Sequence, residues 1–144
     1  MQVSNWRKIN SFKFEELHRI ANERTVFIKL DTDGQDIDIL LNNIPRLVSK
    51  PIIWYENLLQ SQEFIRKTLK LFSLAIKYGY TKIIIFSDKG KLIYIGSLQT
   101  FTKLELKLII KKVQNGKHSK RPYIDVVIIP KTLNISFKVL KTIF

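Results

Sequence analysis

Lys103, Lys107 and Lys111 recur every fourth residue. On a helix that spacing places side chains above one another on one face. Lys112 flanks the row, and Lys117, Lys120 and Arg121 continue the charge just past it. Ammonium groups in a row match the spacing of backbone phosphates and would release counterions on contact. A solvated face is the competing reading, because repulsion between such lysines costs only a few tenths of a kcal/mol per pair. Phe101, His118 and Tyr123 lie close by in sequence. Exposed, such rings could stack on bases; buried, Phe101 and Tyr123 would simply pack the core. These seven cationic residues are the candidate anion-binding or nucleic-acid-binding set.

Asp31, Asp33, Asp36 and Asp38 form a second group. Four carboxylates so close together could gather a hard cation such as Mg²⁺ or Ca²⁺. If the segment is a strand, Asp36 and Asp38 share a side. The spacing departs from an EF-hand loop: glycine stands fourth, at Gly34, and Asn42 stands where the bidentate Glu belongs. A polar hairpin tip accounts for the same residues. A restriction-type nuclease pattern, D…(D/E)xK, would need a lysine where Glu56-Asn57-Leu58 supplies leucine. No metal site is assigned.

Gly79-Tyr80-Thr81, twelve intervening residues and Tyr94-Ile95-Gly96 make a third pattern. It resembles the opening hairpin of the GIY-YIG nucleases, and Asn115-Gly116-Lys117-His118 is similar to the loop region of some intron-encoded members. The resemblance covers residues 79–130. It implies a nuclease in which Tyr80 and Tyr94 stand beside a helix arginine and a distal glutamate around one metal ion. Here Lys103 occupies the arginine's place. No acidic residue follows Asp125, so the metal-binding glutamate has no counterpart.

Other chemistries are excluded by residue type. The absence of cysteine removes disulfides, thiolate zinc sites and thiol nucleophiles. The two histidines, His18 and His118, stand in no H-x-x-x-H or Ser/His/Asp context, and none of the five glycines falls in a phosphate-loop spacing. No catalytic residue and no cofactor is therefore assigned.

The elements that must position these groups follow from periodicity. The 144 residues, 45% hydrophobic, suit a single globular domain. No apolar stretch reaches the roughly 18 residues needed to cross a bilayer, and the N-terminus lacks the apolar run of a secretory signal. An intracellular, cytoplasmic location without membrane contact is expected. Ser11 is placed to cap a helix over 12–22. TVFIKL (25–30) and DIDILL (36–41) read as a hairpin around residues 31–35. PIIWYE (51–56) reads as a short strand, and a helix over 59–78 follows, its buried stripe running from Phe64 to Ile76, with Gly79 placed to end it. KIIIFS (82–87) and KLIYIG (91–96) form a second hairpin. Thr102 and Glu105 make a capping box for a helix to about 114. YIDVVIIP (123–130) is a strand, and the tail from Thr132 fits strand or helix. The two hairpins align at an offset of 56, which fits either a duplicated strand–strand–helix unit or the pattern common to any amphipathic hairpin. The expected fold is α+β: one antiparallel or mixed sheet of two hairpins and a later strand, under about three helices.

The formal net charge is +13, and it is uneven. Residues 1–75 carry 11 Lys+Arg against 9 Asp+Glu, whereas residues 76–144 carry 14 against 3. Such asymmetry attracts polyanions. The leading expectation is a non-enzymatic accessory or regulatory protein, viral or mobile-element-like in its Ile/Lys-rich composition, that binds nucleic acid or a nucleic-acid-processing enzyme through its basic half. The alternatives are a metal-dependent nuclease, using the acidic hairpin or Tyr80 and Tyr94, and a protein-interaction inhibitor, for example of a polymerase. In the last case the edges of PIIWYE or YIDVVIIP could pair with a partner or with a second copy as a homodimer.

Overall fold

Ile37, Leu40, Leu41 and Ile44 recur at i, i+3, i+4 and i+7, a helical period that the Asp-Ile-Asp-Ile alternation disguises. In the computed structural model, which describes residues 26–58, 61–114 and 123–143, the helical period wins. The first strand, β1 (Phe27–Leu30), leads through a turn into helix α1 (Asp36–Asn43) and a 3-10 turn, Ile44–Arg46. Ile37, Leu40 and Ile44 are buried. DIDILL is thus a helix, which corrects the hairpin expected over 25–41 and with it the duplication, since Ile37 and Ile39 are helical where Ile93 and Ile95 lie in a strand.

The side chain of Asp36 ties the start of this helix to the sheet. One carboxylate oxygen accepts from the backbone N–H of Thr32 at 2.9 Å and from the Thr32 hydroxyl. The other accepts from the backbone N–H of Glu56 at 2.9 Å. Strand β2 (Ile52–Leu58) pairs in parallel with β1, and the last paired residues are Leu30 and Tyr55. Beyond that point the carboxylate stands in for the missing strand and satisfies a sheet N–H that would otherwise be orphaned. It also sits in the first turn of α1, where negative charge is favoured. Parallel pairing needs a crossover between the strands, and α1 supplies it.

Helix α2 (Gln62–Lys77) is capped by Ser61, whose hydroxyl accepts from the N–H of Phe64 at 3.4 Å. It ends at Gly79, whose φ of +92° is open to glycine at little cost. Strands β3 (Tyr80–Ser87) and β4 (Leu92–Ser97) form the expected hairpin around Ser87-Asp88-Lys89-Gly90. Helix α3 (Lys103–Gln114) follows, then β5 (Tyr123–Pro130) and a short helix, α4 (Phe137–Ile143). The tail is therefore helical, with the Ser136 hydroxyl accepting from the N–H of Val139. The helix expected over 12–22 lies outside the described residues.

The sheet order is β1-β2-β5-β3-β4, parallel only between β1 and β2. The α+β expectation holds: one mixed five-stranded sheet carries four α-helices among the described residues. β5 is central and covered on both faces, which explains the apolar run from Val126 to Pro130. PIIWYE and YIDVVIIP are interior strands, so neither offers a free edge; the edges belong to β1 and β4. One face packs Ile53, Tyr55, Ile83, Ile85, Val126 and Ile128 against residues of α1, α2 and α3. The other gathers Ile84, Phe86, Val127 and Ile129 around Leu140 of α4. Trp54 stacks on Phe86 there, with ring centroids 5.7 Å apart.

Candidate anion-binding face

Helix α3 begins with the capping box that its sequence announces. The N–H of Thr102 donates to Glu105 Oε2 at 2.6 Å, the Thr102 hydroxyl donates to the same oxygen at 2.9 Å, and the N–H of Glu105 returns a bond to Thr102 Oγ1 at 3.2 Å. The Tyr94 hydroxyl lies 3.4 Å from Glu105 Oε1. Hydrogen bonds from Thr102, backbone first, hold the Glu105 carboxyl below its ordinary value. The one acidic residue of α3 is thus committed to its own helix terminus.

Leu106, Ile109 and Ile110 face the core, as their spacing demands. Lys103, Lys107, Lys111 and Lys112 are exposed, and none forms an ion pair with a described residue. Lys117, Lys120 and Arg121 lie outside the described residues. Leu104 and Leu108 are 66% and 57% exposed and share the outward side of α3 with the lysines.

The neighbouring helix adds cations that the sequence reading passed over. Arg66, Lys70 and Lys77 are exposed on α2, with Ser73 between them, at i, i+4, i+7 and i+11. That spacing was legible, but these residues fall in or near the half of the chain whose net charge is small. Lys67 is turned away, 2.7 Å from Asp38 and 3.8 Å from Glu63. A groove of about 340 Å³ lies between the first half of α2 and the start of α3, lined by Gln62, Ile65, Arg66, Leu69 and Lys103. Folding therefore brings Arg66 of the weakly charged half to the same groove as Lys103 of the basic half.

The other cations of the second half are dispersed. Lys89 lies in the β3–β4 turn and Lys91 follows it. Lys82 lies over the Phe137 ring, 5.8 Å from its centroid, on the sheet face covered by α4. Among the described cations after residue 76, the α3 lysines form the continuous row, and Arg66 of α2 meets it across the groove at Lys103.

The acidic group does not assemble as a cation site. Asp36 is fully buried in the bonds described above. Asp38 turns to Lys67, and Asp31 lies 3.4 Å from Lys29. Because the segment is helical, Asp36 and Asp38 do not share a side. Among the described residues no group of three or more His, Cys, Asp or Glu is placed to hold a metal ion. A different acidic pair does form: Glu56 and Asp125 are directly opposed across β2 and β5. Burial, with Asp31 and Asp125 as neighbouring charges, raises the Glu56 carboxyl; burial likewise raises Asp125.

The β3–β4 hairpin carries Tyr80 and Tyr94, but it does not present them together to solvent. Tyr80 is buried, its hydroxyl has no hydrogen-bond partner among the described residues, and burial pushes the phenol well above its ordinary value. Tyr94 packs against the core with its ring edge-on to Phe101, and its hydroxyl meets Glu105. Tyr123 donates to the carbonyl oxygen of Asp88 at 3.2 Å, and Phe101 packs edge-on to Phe72, so both rings serve packing. No helix among the described residues is long and apolar enough to cross a membrane. Compared with protein-family models, curated proteins and solved structures, the chain matches none.

Proposed function

We propose that this chain is a small non-enzymatic accessory protein that binds a polyanion through the α2–α3 face. The polyanion is nucleic acid or the acidic surface of an enzyme that processes it. The supporting observation is a row of exposed lysines on α3, free of ion pairs with described residues, on a helix whose only carboxylate is held in its own cap. Lys103, Lys107, Lys111 and Lys112 would supply most of the affinity, with Arg66 across the groove from Lys103. Phosphate contact of this kind carries no base readout and is governed by counterion release. A cysteine-free chain suits the intracellular setting in which both partners occur.

Fluorescence anisotropy with duplex DNA and single-stranded RNA at graded salt tests this reading. Affinity should fall steeply between about 50 and 200 mM salt. Each of Lys107→Gln and Lys111→Gln should flatten the log–log salt slope by about one. Binding that is flat with salt, or indifferent to both substitutions, would remove the proposal. Incubation with Mg²⁺ or Mn²⁺ should leave both nucleic acids intact; cutting that EDTA stops would favour the nuclease reading instead.

A further inference from the structure

The α2–α3 groove differs from a simple phosphate track. Its sides include Ile65 and Leu69, both half-buried, and its rim carries exposed Gln62, Arg66 and Lys103. Its volume of about 340 Å³ has room for large apolar side chains. Leu104 and Leu108 are exposed on α3 next to Lys103 and Lys107 in sequence, outside the groove lining. A sugar–phosphate backbone offers nothing apolar to fill such a groove. Neither Arg66 nor Lys103 is engaged by a described residue. Arg presents a planar fork that binds a carboxylate through two parallel bonds.

We infer that the groove docks an acidic peptide segment of a partner protein, with a large apolar side chain seated between Ile65 and Leu69 and flanking carboxylates on Arg66 and Lys103. This rests on the polyanion reading and narrows it to protein. Charge complementarity selects the occupant. A second copy docked face to face would oppose Arg66 and Lys103 with their own duplicates, and like charges at close range are repelled. A peptide that alternates apolar anchors with carboxylates meets both the sides and the rim.

The test uses three fluorescent probes on the full chain. One is a glutamate-rich peptide carrying Phe and, four residues on, Leu. The second has the same length and charge with Gln at both positions. The third is duplex DNA. The anchored peptide should bind about tenfold tighter than its Gln counterpart. Gln62→Trp, a rim substitution at an exposed position, should fill the groove and abolish that preference while leaving DNA binding within about twofold, on the order of 0.4 kcal/mol. Arg66→Glu should weaken all three probes. Equal affinity for the two peptides, or a preference that survives Gln62→Trp, would overturn the inference; salt-sensitive DNA binding in the same experiment would leave the polyanion reading standing. Failure to bind any of the three probes would overturn both.

Discussion

At the scale of single residues, the strongest structural commitment is Asp36. Its carboxylate joins the β1–α1 turn to β2 through Thr32 and Glu56. Asp36→Ala would leave the partly buried N–H groups of Thr32 and Glu56 without their acceptor, a loss of roughly 1–3 kcal/mol. Urea denaturation should show the midpoint falling accordingly, with no change in slope. Glu56 and Asp125 act in the opposite sense. Both carboxyls are raised by burial, so the folded chain holds their protons more tightly than the unfolded chain does. Stability from this pair is therefore greatest below the unfolded carboxylate range and declines as pH rises through the folded values. Asp125→Asn should raise the melting temperature at pH 7.5, and the gain over wild type should shrink as pH is lowered to 4. A variant that gains equally at both pH values would show that the opposed pair is not the cause.

At the scale of elements, α3 combines a strong start with a self-repelling surface. The capping box contributes about 1 kcal/mol, so Thr102→Ala should lower stability by that amount, read as a melting shift. Neutralising its lysines should work the other way. Lys107→Gln relieves like-charge contacts at i−4 and i+4 and should stabilise the fold by a few tenths of a kcal/mol. The same substitution is expected to weaken polyanion binding. A position where stability and affinity move in opposite directions is one retained for contact rather than for folding. Helix α4 has a plainer role. Leu140 is the residue through which it enters the second core. Leu140→Ala should cost about 2–4 kcal/mol in chemical denaturation if that helix holds the far face of the sheet.

At the scale of the whole molecule, charge is distributed by topology rather than by sequence half. Alternation along β3 sends Lys82 to the face under α4, and the α3 lysines lie on the opposite layer. The groove between α2 and the start of α3 brings Arg66, from the half whose charge is nearly balanced, to Lys103 of the basic half. An excess of positive charge near +13 should also keep copies apart at low salt. Sedimentation at about 50 mM salt should therefore show a monomer, with any association appearing only as screening shortens the Debye length. Pairing through a strand edge would have to use β1 or β4.

Residue order alone determined the elements whose signals are local. The Thr102–Glu105 box, the Ser87–Gly90 turn, the long stripe of α2 and the α3 lysine row depend on neighbours within a few positions, so they were legible from spacing. The Asp36 segment was not, because alternation over six residues fits a strand while the longer i, i+3, i+4, i+7 set fits a helix. A hydrogen bond to Glu56, twenty residues away, bears on that choice. Strand order, the interior place of β2 and β5, and the meeting of Arg66 with Lys103 across a groove were likewise decided by tertiary structure. Each depends on which surfaces bury one another, and burial is a property of the folded chain rather than of any stretch of it.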